Sequence, residues 1–234
     1  MLKVIESAVP VACWSCSVAH NEVTLFCPHC SKIQPPQQGN YFFVFGLEPR
    51  LNIDLAALER EFHGFSRKLH PDRFARASES EKEWSLADTA LLNDAYRTLK
   101  DPIRRTEYLL KLYGAEIGEE FAGKNRRPHE MGASRAPADL LEEVFDLNMQ
   151  LEEMRVAKTS GEDDPALEQS LTEARHKFEG LLDAVDGDLS TEWKEWDNGD
   201  EVARHAAQNK MVALLDRRRY LSNLVREVNE TLGA

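Results

Sequence analysis

The stretch Phe62-His63-Gly64-Phe65-Ser66-Arg67-Lys68-Leu69-His70-Pro71-Asp72-Arg73-Phe74 decides how the middle of the chain folds. Leu58, Phe62, Phe65 and Leu69 fall at i, i+4, i+7 and i+11, the spacing of one helix face. Asp54 stands where an N-cap is needed, and its carboxylate suits the free amides of a first turn. Pro71 disfavours helical backbone at the residue before it, so the helix is expected to stop near Leu69. Gly64 costs this helix about 1 kcal/mol of propensity, and no sequence pattern explains it.

Working outward, a second helix is expected from about Ser78, with Trp84, Ala87, Leu91, Leu92, Ala95 and Leu99 near one face. Asp101 caps a third piece with Pro102 in the favoured first position. Tyr108, Leu109 and Leu112 give that piece its apolar side, and Gly114 is a natural stop. Residues 115–138 hold Gly118, Gly123, Pro128, Gly132 and Pro137 and read as a connecting loop. Beyond it, three apolar runs have helical spacing. They are Leu140 to Met154, Leu167 to Val185 and Met211 to Leu232, which together suggest a three-helix bundle. The fold class expected is mostly α.

Upstream lie all four cysteines, as Cys13-x2-Cys16, ten residues, then Cys27-x2-Cys30. Paired knuckles of this spacing present four thiolates to a tetrahedral ion, so the cofactor expected is one structural Zn2+. About 25 residues bury too little to fold alone, and the metal would supply most of this unit's folding energy. Two disulfides are the alternative, and they require an oxidising compartment. A thioredoxin-like redox pair lacks the βαβ setting it needs. His29 sits inside the second knuckle and is expected to face solvent, with Trp14 and Phe26 packing over the knuckles. Pro35-Pro36-Gln37-Gln38-Gly39-Asn40 then forms a short linker.

The chain has 234 residues and a net charge of −12. Residues 139–234 carry 11 Lys and Arg against 23 Asp and Glu, so the acidity belongs to the C-terminal third. That third repels phosphate backbones, and with only Lys32 basic in 11–34, no nucleic-acid partner is expected. No stretch approaches the ~20 consecutive apolar residues of a membrane span. The first ten residues show neither a signal core nor an Arg-rich presequence. A bacterial cytoplasm is therefore expected, or a mitochondrial matrix if a presequence has been removed.

Four segments carry a specific likeness. They are Asn40-Tyr41-Phe42-Phe43-Val44-Phe45-Gly46-Leu47, His70-Pro71-Asp72-Arg73-Phe74-Ala75, Leu92-Asn93-Asp94-Ala95-Tyr96-Arg97-Thr98-Leu99-Lys100-Asp101-Pro102 and Tyr108-Leu109-Leu110-Lys111-Leu112-Tyr113-Gly114. Together they resemble the J domain of the HscB (Jac) family of iron–sulfur cluster co-chaperones. The head, with Cys13-Trp14-Ser15-Cys16 and Phe26-Cys27-Pro28-His29-Cys30, is similar to that of the zinc-bearing branch.

The resemblance implies a zinc head over 1–38, a J domain over 39–114, a connection over 115–138 and an acidic scaffold-binding bundle over 139–234. It implies a J protein that performs no chemistry itself. His70, Pro71 and Asp72 would dock on a DnaK/HscA-type heat-shock ATPase and stimulate it, helped by Arg67 and Lys68. Leu141, Phe145, Asp146, Met149 and Glu153, with Tyr220 from the last helix, would bind an IscU-type iron–sulfur scaffold. Met149 stands where the family usually has Glu, and Glu142 where an apolar residue is usual. A J protein serving a different client is the competing reading, and a redox protein using the cysteine pairs is a third.

Overall fold

The structure is a computed structural model and describes residues 11–20, 24–36, 39–117 and 137–233. Most of the connection expected at 115–138 lies outside the described residues, as do the first ten residues. The chain divides into two compact units, one up to Glu116 and one from Ile117.

In the first unit, a two-residue hairpin, β1 (Val11–Ala12) and β2 (Ala19–His20), carries the first cysteine pair. Five helices follow: α1 (Tyr41–Val44), α2 (Leu55–Leu69), α3 (Pro71–Phe74), α4 (Glu79–Lys100) and α5 (Pro102–Leu112). The caps fall where the sequence placed them. The Asp54 carboxylate accepts from Ala56 and Ala57, and the Asp101 carboxylate accepts from Ile103 and Arg104. Ser78 and Glu81 close a reciprocal capping box at the start of α4. Gly114 follows α5 with a φ of +79°, a conformation that favours glycine.

Phe42, Leu51, Leu58, Leu69, Leu92, Leu99, Leu109 and Leu110 form the core of these helices. Phe62 of α2 stacks on Tyr96 of α4 at 4.0 Å, and Tyr41 stacks on Tyr108 at 4.5 Å. Two expected core positions are corrected. Ala87 is exposed, because α4 turns Ser85 and Asp88 inward instead. On α5, Leu110 is buried and Leu112 exposed, so the buried face is shifted by about one residue's step from the expected one. Arg105 is also buried, donating to the carbonyls of Leu51 and Leu99.

Among its described residues, the second unit is a bundle of three helices, α6 (Leu141–Ser160), α7 (Pro165–Asn198) and α8 (Glu201–Leu232), with a 3-10 turn at Ala138–Leu140 leading into α6. Leu140, Val144, Leu147, Leu151 and Met154 face the bundle core, as their spacing indicated. α7 and α8 run further toward each other than the apolar runs suggested, and they meet at a short turn through Gly199 and Asp200. A side chain on Gly199 would run into the carbonyl oxygen of Glu195, so the tight turn requires glycine. Bidentate Arg217–Asp139 and Arg218–Asp186 contacts tie α8 to the segment before α6 and to α7.

Among the described residues of the first unit, Asp88 is the carboxyl most strongly displaced. Burial pushes it up to about 7, and its Oδ2 has no hydrogen-bond partner among the described residues. It lines a small cleft with Thr24, Leu25, Pro35, Gly39, Val44 and Leu91. Because its folded-state value is raised, it binds a proton that the unfolded chain releases. Stability is then full below the ordinary aspartate range and is lost as pH rises toward and through 7. Asp88→Asn is expected to flatten that slope and to stabilise the chain at pH 8 by about 1–3 kcal/mol. Denaturant titrations at pH 5 and 8 read this, and an unchanged slope would contradict it.

Candidate functional site

The two cysteine pairs fold as near-copies of one another. Ser17 and Ser31, each directly after the second cysteine of its pair, have φ of 59° and 58°. Their amides donate to the carbonyls of Cys13 and Cys27, both at 2.9 Å. The Ser15 and His29 amides point at the Sγ of Cys13 and Cys27, each at 3.4 Å. Gln34, fully buried, adds a third-element donor, its Nε2 lying 3.4 Å from Cys13 Sγ. Left-handed backbone at serine is strained, and it persists here because each turn closes on its first cysteine's carbonyl and aims one amide at that cysteine's sulfur.

The four Sγ atoms all lie within 4.8 Å of one another, with Cys13–Cys30 at 3.6 Å and Cys16–Cys27 at 3.8 Å. No pair is at bonding distance, and all four cysteines are free, which removes the disulfide alternative. A tetrahedral ion with metal–sulfur bonds of about 2.3 Å requires sulfurs about 3.8 Å apart. The cluster therefore fits a metal ion held by Cys13, Cys16, Cys27 and Cys30.

The thiols also polarise one another. Burial raises Cys13, but amide bonds from Cys16 and Ser15 and the thiols of Cys30 and Cys27 outweigh it and bring it to about 6. For Cys16, the Val18 amide lowers the value, yet burial and the three other thiols push it up to about 12. One sulfur ionises at the expense of the next, a conflict that a bound cation relieves. His29 faces solvent, and Trp14 packs on α4 as well as on its own knuckle: its ring meets Trp84 edge-on at 5.6 Å.

The His-Pro-Asp segment forms neither a loop nor a continuation of α2. Leu69 ends α2, and His70 has φ −54° and ψ 130°, breaking the helix. His70 then caps the one-turn helix α3: its Nδ1 accepts from the Asp72 amide at 3.3 Å, and Pro71 occupies the first position. The side chains of His70 and Asp72 are 60% and 90% exposed and lie 3.5 Å apart. Arg67 and Lys68 are exposed in the last turn of α2, with Lys68 Nζ 5.5 Å from the Phe65 ring centroid. Arg73 and Arg76 are exposed just past the tip, two charges that the sequence reading did not single out.

On α6 the structure brings a second set together. Leu141, Phe145 and Met149 are 44%, 64% and 51% exposed, on the side away from the buried Val144 and Leu151. Val156 continues the stripe at 58% exposed and lies beyond Glu153, the last α6 residue expected at the scaffold face. Asp146 and Glu153 are exposed beside it. Tyr220 is half-buried on α8, between Arg217, which pairs with Asp139, and Glu227, which pairs with Arg155. No helix among the described residues is long and apolar enough to cross a membrane.

No family model matches the chain. It is 28% identical over 221 residues to the iron–sulfur cluster co-chaperone protein HscB of Mus musculus, covering 92% of this chain and 80% of that one. Over 145 residues it is 35% identical to the co-chaperone protein HscB homologue of Shewanella sp. (strain W3-18-1), covering 62% of this chain and 77% of the relative. In fold it is similar to the crystal structure of human co-chaperone protein HscB, with a TM-score of 0.65 at 24% identity, covering 94% of this chain and 98% of that one.

Stripping the cysteine cluster with a strong chelator is expected to expose four reactive thiols per chain and to disorder residues 11–34, with the bundle helices intact. Thiol titration beside a far-ultraviolet dichroism melt checks this. Collapse of the whole helical signal would contradict it.

Proposed function

We propose, from the premise that this chain belongs to the HscB co-chaperone family, that it carries an IscU-type iron–sulfur scaffold to a DnaK/HscA-type heat-shock ATPase and stimulates ATP hydrolysis there. The observation that carries the reading is the exposed His70-Pro71-Asp72 tip, capped as a one-turn helix between α2 and α4. A short capped helix presents a fixed shape, so docking costs little ordering entropy. Arg67, Lys68, Arg73 and Arg76 surround the tip with positive charge, which mainly speeds encounter with an acidic partner.

The scaffold would bind on α6. Leu141, Phe145, Met149 and Val156 offer an apolar stripe, edged by Asp146 and Glu153, and this is the pattern of a helix face left for a partner. Tyr220 would contribute from the neighbouring helix. The ion in the cysteine cluster would be Zn2+: four thiolates in a closed shell leave no open position for chemistry, and the ion's contribution is to the fold of the head. The labour is then divided among a head over 1–38, an ATPase-docking unit over 39–114 and a scaffold-binding bundle over 139–234. The chain itself catalyses no reaction.

His70→Gln is expected to abolish stimulation of the partner's ATPase while leaving scaffold affinity unchanged, read by ATPase rates and by titration calorimetry. Retained stimulation would remove the tip from the docking role. Phe145→Ala with Met149→Ala is expected to weaken scaffold binding by at least tenfold, since exposed apolar anchors of this kind each contribute about 1–3 kcal/mol. The melting temperature should not fall, because neither side chain is in the core. Unchanged affinity would move the scaffold site off this face.

A further inference from the structure

The cysteine knuckle and the His-Pro-Asp tip are joined by an unbroken run of specific contacts. Pro71 forces α2 to end, and the Leu69 carbonyl then accepts from the buried Ser85 hydroxyl of α4 at 2.7 Å. Ser85 lies one turn past Glu81, whose side chain is only 10% exposed. Glu81 Oε2 accepts from the Ser78 amide at 3.1 Å and the Ser78 hydroxyl at 2.9 Å, closing the first turn of α4. Its other oxygen, Oε1, takes the ammonium of Lys32 at 3.1 Å.

Lys32 belongs to the second knuckle. Its carbonyl accepts from the Cys27 amide at 2.8 Å, so its position is set by a sulfur-bearing residue. Trp14 lies between Cys13 and Cys16, donates Nε1–H to the Ile33 carbonyl at 2.7 Å, and meets Trp84 beside Ser85. Both knuckles therefore press on the same two turns of α4 that anchor the tip.

We propose that the metal-loaded knuckle is a clamp on the ATPase-docking tip, with Lys32, Glu81 and Ser85 as positioning residues that hold His70 and Asp72 in place. The inference rests on the docking role given to the tip above. A segment of this size has no fold without its ion. Loss of the metal by chelation withdraws Lys32 and Trp14 together. The first turn of α4 then keeps only its own cap, and the tip loosens while the bundle is untouched. Metal occupancy becomes a control on ATPase stimulation that does not act on scaffold binding.

The test uses the full chain in four forms: metal-loaded, chelator-stripped, Lys32→Ala, and Lys32→Ala stripped. Amide exchange over residues 72–86 is followed in each, beside ATPase stimulation as a function of chain concentration. Stripping is expected to speed exchange over 79–86 roughly tenfold and Lys32→Ala about threefold, magnitudes typical of losing a charged cap and its support. Lys32→Ala should add nothing to the stripped chain, and Lys32→Arg should restore slow exchange. The concentration for half-maximal stimulation should rise with the exchange rate, with the maximal rate and scaffold affinity unchanged. If the loaded chain fails to stimulate any heat-shock ATPase, the docking role is wrong, and the exchange data still decide the clamp. Equal exchange over 79–86 in loaded and stripped chains would overturn it.

Discussion

One hydrogen bond holds the middle of this protein in its working shape: the Ser85 hydroxyl donating to the Leu69 carbonyl. Proline at 71 cannot supply an amide, and the backbone turns away at His70, so the last carbonyls of α2 have no helical continuation. A buried carbonyl left unpaired costs about 1–3 kcal/mol. Ser85 satisfies it from the opposite helix and thereby fixes where α2 ends relative to α4. The tip then projects from a junction that is packed on both sides. Its shape is a consequence of how the break in α2 is mended.

The same constraint explains the polar inner face at the start of α4. Glu81, Ser85 and Asp88 follow one another at helical spacing and are all buried, where an ordinary amphipathic helix would place apolar residues. Each has a distinct physical state. Glu81 is an ionised cap: first the Ser78 amide, then Lys32 and the Ser78 hydroxyl hold its carboxyl below the ordinary glutamate value. Ser85 pairs with α2. Asp88 is half of an unmet demand, carrying a proton near neutral pH because burial disfavours its charge. Polar contacts at this junction fix direction where apolar packing alone would permit sliding.

Much of this was legible in the amino-acid sequence, for reasons that can be named. Asp54, Asp101, Pro102 and Gly114 act through contacts within four residues, and the cysteines repeat one short knuckle spacing twice, so local pattern suffices for them. The core face of α6 followed from period alone. Ala87 and Leu112 were misplaced because hydropathy cannot foresee that Ser85 turns inward to pair with Leu69, or that Arg105 is buried on α5 to reach Leu51 and Leu99. The Lys32–Glu81 pair spans 49 residues, and Gln34 reaches Cys13 across 21, so neither leaves a local signal. Val156 was hidden for the opposite reason. An exposed valine is unremarkable until the fold shows that it extends the line of Leu141, Phe145 and Met149. The short helix at the tip lay between these cases, since Pro71 announced the break but not the His70 cap that follows it.

The proposed function depends on the surface this chain would offer a heat-shock ATPase. The most direct measurement is an amide-exchange footprint of an ATP-loaded DnaK/HscA-type chaperone on the full chain, with the scaffold present. Protection confined to residues 60–76 is the result expected, with 141–156 protected by the scaffold alone. Protection by the chaperone on the bundle or the cysteine head, with 60–76 exchanging as in the free chain, would contradict it.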